Sequence, residues 1–306
     1  MLTESNTTET LIKRESSKVK DYFQLIKFTL SFLVVFVSVF CYLLSPNVVR
    51  FDFVQVLLFF VAGMLVTGGA NAINQAMEKH TDAVMKRTAK RPVAAGRMSQ
   101  TEAYLFAGIC GALGVAMLWY FFNYQSALLG LFSFFLYGFI YTPLKTVSSI
   151  AVLVGGIPGA LPCLIGWVAG FAEGGNNTWA GGWVLFAIQF LWQFPHFWAI
   201  AWLAHQDYTK AGFKLLPSDK GPTKFTALQT VMYSTLMIPV GILPYYYQVS
   251  GAASMWVILG CNLWMLFVSI MLYYKMNANA ARKVMFSSYF YLMIVFLSLY
   301  ADKIKL

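Results

Sequence analysis

Long apolar stretches alternate with short polar ones along this chain, and the apolar stretches dictate the architecture. About nine of them, near residues 25–45, 52–76, 101–122, 125–143, 149–171, 181–204, 225–246, 252–274 and 284–301, are long enough to span a bilayer, which takes roughly 20 residues as an α-helix. The stretches are uniformly apolar rather than alternating. Backbone in lipid must also satisfy its hydrogen bonds within its own segment, so helices and not a barrel are expected. The pattern predicts an all-α membrane protein of about nine transmembrane helices, with a single integral-membrane domain over 25–306. A disordered cytoplasmic tail is expected over 1–24. Glu4, Glu9 and Glu15 in that tail argue against a mitochondrial transit peptide, and its polar length argues against a cleaved signal.

The polar breaks orient the helices. Nearly all Lys and Arg residues fall in the tail and in the breaks after spans two, four, six and eight; only Arg50, Lys303 and Lys305 lie on the other side. Cytoplasmic loops collect basic residues, so the amino terminus and the large loops are expected in the cytoplasm. The two longest breaks, after spans two and six, run to about twenty residues. Breaks of that length in a compact protein are either functional or disordered.

Composition agrees. Of 306 residues 59% are hydrophobic and 11% charged, against roughly 25% charged in soluble domains, so lipid must solvate much of the surface. The net charge of +10 belongs to the cytoplasmic loops of a membrane protein rather than to a nucleic-acid interface. Cys41, Cys110, Cys163 and Cys261 sit singly inside apolar runs without metal-ligand spacing and are expected to be packing residues.

Two polar clusters interrupt this scheme. Asn71, Asn74, Glu78 and Asp82 follow one another at intervals of 3, 4 and 4, which places them on one helical face. A carboxylate in or near the membrane is costly, so it is a functional candidate. Two carboxylates and an amide offer hard oxygen ligands suited to Mg²⁺. The basic residues that follow, among them Arg87 and Arg91, would hold phosphate oxygens. In the second cluster Gln189, Gln193, His196 and Asp207 also share a helical face, running through an aromatic span to its cytoplasmic end. Pro195 inside that span would free local carbonyls. His80 and His205 read as ordinary interfacial residues. Lys145, just after Tyr141-Thr142-Pro143-Leu144, lies on the same side of the membrane as both clusters. Together they would clamp a metal–diphosphate, whose developing charge is neutralised as an allylic C–O bond breaks, beside an apolar cavity that keeps water from the allylic cation.

These clusters resemble the UbiA-type intramembrane prenyltransferase superfamily, and within it the branch that modifies heme. The resemblance rests on N-Q-x-x-E-x-x-x-D-x-x-M-x-R-T-x-x-R-P over 74–92 and Y-T-P-L-K over 141–145. W-Q-F-P-H-F over 192–197 and D-Y-x-x-A-G-x-x-x-L-P over 207–217 complete it. It covers nearly the whole chain after the tail. It implies a helical bundle around an intramembrane cavity and a Mg²⁺-dependent transfer of farnesyl from farnesyl diphosphate to a vinyl group of heme B. Water adds in the same reaction to give heme O. Asn74, Glu78, Asp82 and Asp207 would position Mg²⁺ and diphosphate; Arg87, Arg91 and Lys145 would bind phosphate oxygens. Gln189, Gln193, His196, Tyr141 and Tyr208 would line the heme or prenyl cavity. The resemblance also implies a bacterial inner-membrane setting, with room for handing the product to a heme A synthase or to terminal oxidase assembly.

Two positions depart from the wider superfamily. Glu78 stands where Asp is usual, and Ala211 stands where a second acid usually follows Asp207. Both departures match the heme-modifying branch and leave the ligands of a second metal open. The alternative enzyme reading is a sister prenyltransferase with an aromatic or quinone-precursor acceptor. A transporter would be expected to place ionisable residues near the bilayer midplane, whereas these carboxylates lie at helix ends.

Overall fold

The computed structural model describes residues 17–218 and 220–304, all of its regular elements being helical. The elements in chain order are α1 (Lys18–Leu25), α2 (Phe28–Leu44), α3 (Phe53–Met77), α4 (Lys79–Val84), α5 (Gln100–Phe121) and α6 (Tyr124–Phe135). A π-helical turn (Leu136–Tyr141) leads into α7 (Thr142–Leu144). Then come α8 (Ala151–Ala169), α9 (Ala180–Leu203), α10 (His205–Lys210), α11 (Lys224–Tyr246), α12 (Ala252–Lys275) and α13 (Ala278–Ala301).

Among the described residues eight helices are long and apolar enough to cross a membrane, and α1 with α2 makes a ninth candidate, bent by 50°. The helical expectation for residues 25–301 therefore holds. The tail does not run to residue 24: α1 starts at Lys18, while residues 1–16 of the expected tail lie outside the described residues. Helix α1 is held because its polar face finds partners, Asp21 with Arg97 and Tyr22 with Glu102. The chain then turns at Lys27, whose φ of 48° is left-handed, a conformation uncommon outside glycine.

Helices α8 and α9 form the centre, with 72% and 67% of their spanning windows buried against 28–33% in the other long spans. Around them α2, α6, α11 and α13 pack directly, and α3 and α5 pair on one flank. That pairing is close. A side chain on Gly114 would meet the Ala62 carbonyl, and one on Gly69 the Ala107 carbonyl; small residues permit such helix contacts in membranes. Buried polar links tie α11, α12 and α13: Tyr291 donates to Asn262 Oδ1, Asn262 to the Met237 carbonyl, and Ser234 meets Ser269.

One end of the bundle carries the long connections, with α4 and α10 folded into them. At that end the π-turn directly precedes a proline-containing turn. Pro143 has no N–H to continue the ladder, and the helix widens just before it, as π-turns often do near functional positions. At the opposite end Lys303 donates to the carbonyls of Leu43, Ser45 and Val48 at 2.6–2.8 Å, satisfying the free end of α2.

Candidate active site

The site starts from α3, the second span. Its last turn and α4 are linked by Asp82 N–H donating to the Glu78 carbonyl, after Glu78 N–H donates to that of Asn74. The helical face predicted for Asn71, Asn74, Glu78 and Asp82 therefore survives the small break at Glu78, and all four residues are buried. Buried polar groups need partners, and each has found one.

Three of the partners are cations from three different segments. Lys27 Nζ donates to Asn74 Oδ1 at 2.5 Å. Lys145 Nζ donates to Glu78 Oε1 at 2.8 Å, with both side chains about nine-tenths buried. Arg91 Nη1 bridges both oxygens of Asp82 at 2.9 and 2.7 Å. Lys145 also lies 4.5 Å from the centre of the Tyr141 ring, a favourable cation–π placement. Three of the four oxygen donors expected to meet a metal thus face a positive group.

The third acid behaves differently. Asp207 sits on α10, past the break at Ala204, and is only partly buried. Among the described residues no three His, Cys, Asp or Glu side chains come together as a metal-binding group, so Glu78, Asp82 and Asp207 do not form a three-acid cluster. The segment itself does approach: the Lys145 carbonyl accepts from Lys214 N–H at 2.8 Å, and Met85 packs with Ala211, Phe213 and Tyr208. Arg87 is exposed, and Arg97 is engaged with Asp21, Gln24 and the Lys90 carbonyl.

The α9 stripe is buried as expected. Gln193 donates to the Gly156 and Gln189 carbonyls, while Gln189 Oε1 is buried with no partner. His196 Nδ1 is 2.8 Å from Ser288 Oγ, and its ring stacks on Trp192, whose indole N–H donates to the Ser288 carbonyl. The Ser288 hydroxyl proton goes to the Met285 carbonyl, so His196 Nδ1 is the donor in its bond. In the neutral ring this leaves the lone pair on Nε2.

The donor set of Asn74, Glu78 and Asp82 fits Mg²⁺ in one manner. Mg²⁺ is commonly held by one or two carboxylates together with substrate phosphates rather than by an all-protein cage. Two buried carboxylates and an amide oxygen meet that need, and the three cations beside them match the phosphates.

Sequence reasoning missed Lys27 as a site residue, having counted it only for orientation. A lone cation between two apolar runs was the available signal. Thr142 and Ser288 carried no such signal, because a hydroxyl in a membrane helix is commonplace.

A model of the UbiA prenyltransferase family matches residues 31–296. A protoheme IX farnesyltransferase of Cytophaga hutchinsonii is 42% identical over 289 residues, covering 94% of this chain and 99% of that protein. One of Flavobacterium johnsoniae is 41% identical, covering 92% and 94%. Among solved structures, a digeranylgeranylglyceryl phosphate synthase superposes with a TM-score of 0.77 at 22% identity, covering 95% of this chain and 100% of the other. A UbiA homologue from Archaeoglobus fulgidus, bound to GPP and Mg²⁺, gives 0.67 at 17% identity, covering 91% and 99%.

Proposed function

The chain belongs to the UbiA prenyltransferase family, and from that premise we propose that it transfers farnesyl from farnesyl diphosphate to a vinyl group of protoheme IX (heme B), giving heme O and pyrophosphate. The observation that carries the reading is the buried row Asn74, Glu78 and Asp82, matched one to one by Lys27, Lys145 and Arg91. Full-length similarity to protoheme IX farnesyltransferases supports the choice of acceptor.

The row is built for exchange of partners. Its oxygens already face positive charge, and two of its cations, Lys145 and Arg91, already face carboxylates. When the diphosphate arrives, Lys27, Lys145 and Arg91 turn from the row to phosphate oxygens, where charge-assisted bonds are strong. Asn74, Glu78 and Asp82 would hold Mg²⁺, which when bound would supply neutralisation of the charge on the departing diphosphate. Asp207 reaches the same diphosphate from α10, and exposed Arg87 captures it at the entrance.

The allylic C–O bond breaks, pyrophosphate leaves, and the vinyl π-bond of heme attacks the farnesyl cation to form the new C–C bond. Water adds to the resulting benzylic-type cation and loses a proton. No side-chain nucleophile is required. Tyr141, Tyr208 and the aromatic walls exclude water from the farnesyl cation. The α9 stripe of Gln189, Gln193 and His196 faces the macrocycle, with His196 Nε2 as the lone pair available to iron or to a proton. The site end faces the cytoplasm of a bacterial inner membrane, and heme O passes from there to heme A synthesis or terminal oxidase assembly.

Purified protein in lipid nanodiscs, given heme B, farnesyl diphosphate and Mg²⁺, should yield heme O and one pyrophosphate per product by mass spectrometry and phosphate release. Unchanged heme, with the prenyl group instead on an added benzoate or naphthoate, would assign the chain to the sister branch.

A further inference from the structure

We propose that Thr142 is a positioning residue that fixes the amide of Asn74 with its oxygen turned toward the metal and diphosphate, an inference that rests on the site reading above. An asparagine is an ambiguous ligand: turned one way it offers a carbonyl oxygen, turned the other way an NH₂ group that repels a cation. The fold removes the ambiguity through three linked contacts.

The first link is the π-turn. A threonine hydroxyl in an ordinary α-helix reaches the carbonyl three or four residues back. Here the widened register brings Thr142 Oγ1 over the Tyr137 carbonyl, five residues back, at 2.9 Å. The hydroxyl has a single proton, and this bond uses it.

The second link follows from that proton count. Thr142 Oγ1 can only accept from its other neighbour, so Asn74 must present Nδ2 to it, as found at 3.2 Å. Asn74 and Thr142 are both buried, so the amide is shielded from bulk solvent.

The third link checks the second independently. On the other side of the amide stands Lys27 Nζ, which has donors only, and it meets Asn74 Oδ1. Both neighbours impose the same orientation. Tyr137 strengthens the frame, since its hydroxyl donates to Asn71 Oδ1 while Asn71 Nδ2 donates to Ser31 Oγ at the start of α2. The α3 amides are thereby braced from the π-turn on one side and from the α1–α2 bend on the other.

The test uses binding rather than turnover. Mn²⁺ is titrated into full-length protein with a non-hydrolysable farnesyl thiodiphosphate and followed by electron paramagnetic resonance. Thr142→Val, which keeps the shape but loses the acceptor, should weaken Mn²⁺ binding by about 10- to 100-fold, the usual range for loss of a group that orients a metal ligand. Thr142→Ser should bind within about threefold of wild type on the same grounds.

The decisive variant combines Thr142→Val with Asn74→Asp. A carboxylate offers oxygen whichever way it turns, so the pair should recover most of the lost affinity. Retained affinity in Thr142→Val, equal loss in Thr142→Ser, or no recovery in the double variant would each overturn the positioning role. Wild-type protein that binds no Mn²⁺ with the analogue would instead overturn the site reading, which keeps the two failures distinct.

Discussion

Glu78 and Lys145 provide the sharpest separation of a structural ion pair from a working one. Their 2.8 Å contact corresponds to about 6 kcal/mol of attraction at an effective dielectric of about 20, much of it offset by the loss of hydration. Removing one partner leaves the other charged and buried, which costs about 3–5 kcal/mol. Glu78→Gln and Lys145→Met should therefore each lower stability in detergent by about that amount. The double variant leaves no stranded charge and should regain most of it.

Activity should follow a different pattern. In the proposed exchange each partner also serves the departing diphosphate, and loss of one such contact typically lowers turnover by about 10²–10³. The double variant should then remain at least about 10² below wild type in pyrophosphate release despite its restored stability. A double variant that recovers turnover along with stability would reduce the pair to scaffolding and refute the exchange of partners.

Arg91→Lys should lose the two-oxygen grip on Asp82 and raise the KM for farnesyl diphosphate about tenfold or more, measured by initial rates. Gly155→Ala would drive a methyl group into the Tyr141 ring beneath Lys145, so it should depress turnover more than heme binding; equal effects on both would count against Tyr141 as part of the diphosphate end. Lys303→Met strands three carbonyls at the far end of the bundle and should lower the free energy of unfolding, by about 1–3 kcal/mol per stranded group at most, while KM values stay at wild type. His196→Ala should shift the Soret band of bound heme and leave Mn²⁺–diphosphate binding intact, and an unchanged spectrum would remove His196 from the iron.

The transmembrane scheme was legible because hydropathy is a direct reading of the solvent each segment meets; α3, α9 and α13 begin and end within a few residues of the apolar runs that predict them, apart from the six extra residues at the start of α13. The Asn74–Glu78–Asp82 face was legible because a helical period carries across the break at Glu78. The same arithmetic misjudged Asp207. A period of 3.6 assumes one continuous helix, and the chain breaks at Ala204, so the acid leaves the axis shared by Gln189, Gln193 and His196. Helix α1 was hidden because its stability comes from tertiary partners such as Arg97, 76 residues away from Asp21. The role of Thr142 was hidden for a related reason, since it depends on a π-register that periodicity does not encode.

The proposed exchange, in which three buried oxygens trade their protein cations for a metal when diphosphate arrives, is read out by a structure with Mn²⁺ and farnesyl thiodiphosphate, the ion located by anomalous scattering. Mn²⁺ should be bound to oxygens of Asn74, Glu78 and Asp82, with Lys27, Lys145 and Arg91 moved onto the phosphates. Mn²⁺ found elsewhere, with Lys145 still on Glu78 and Arg91 still on Asp82, would contradict it.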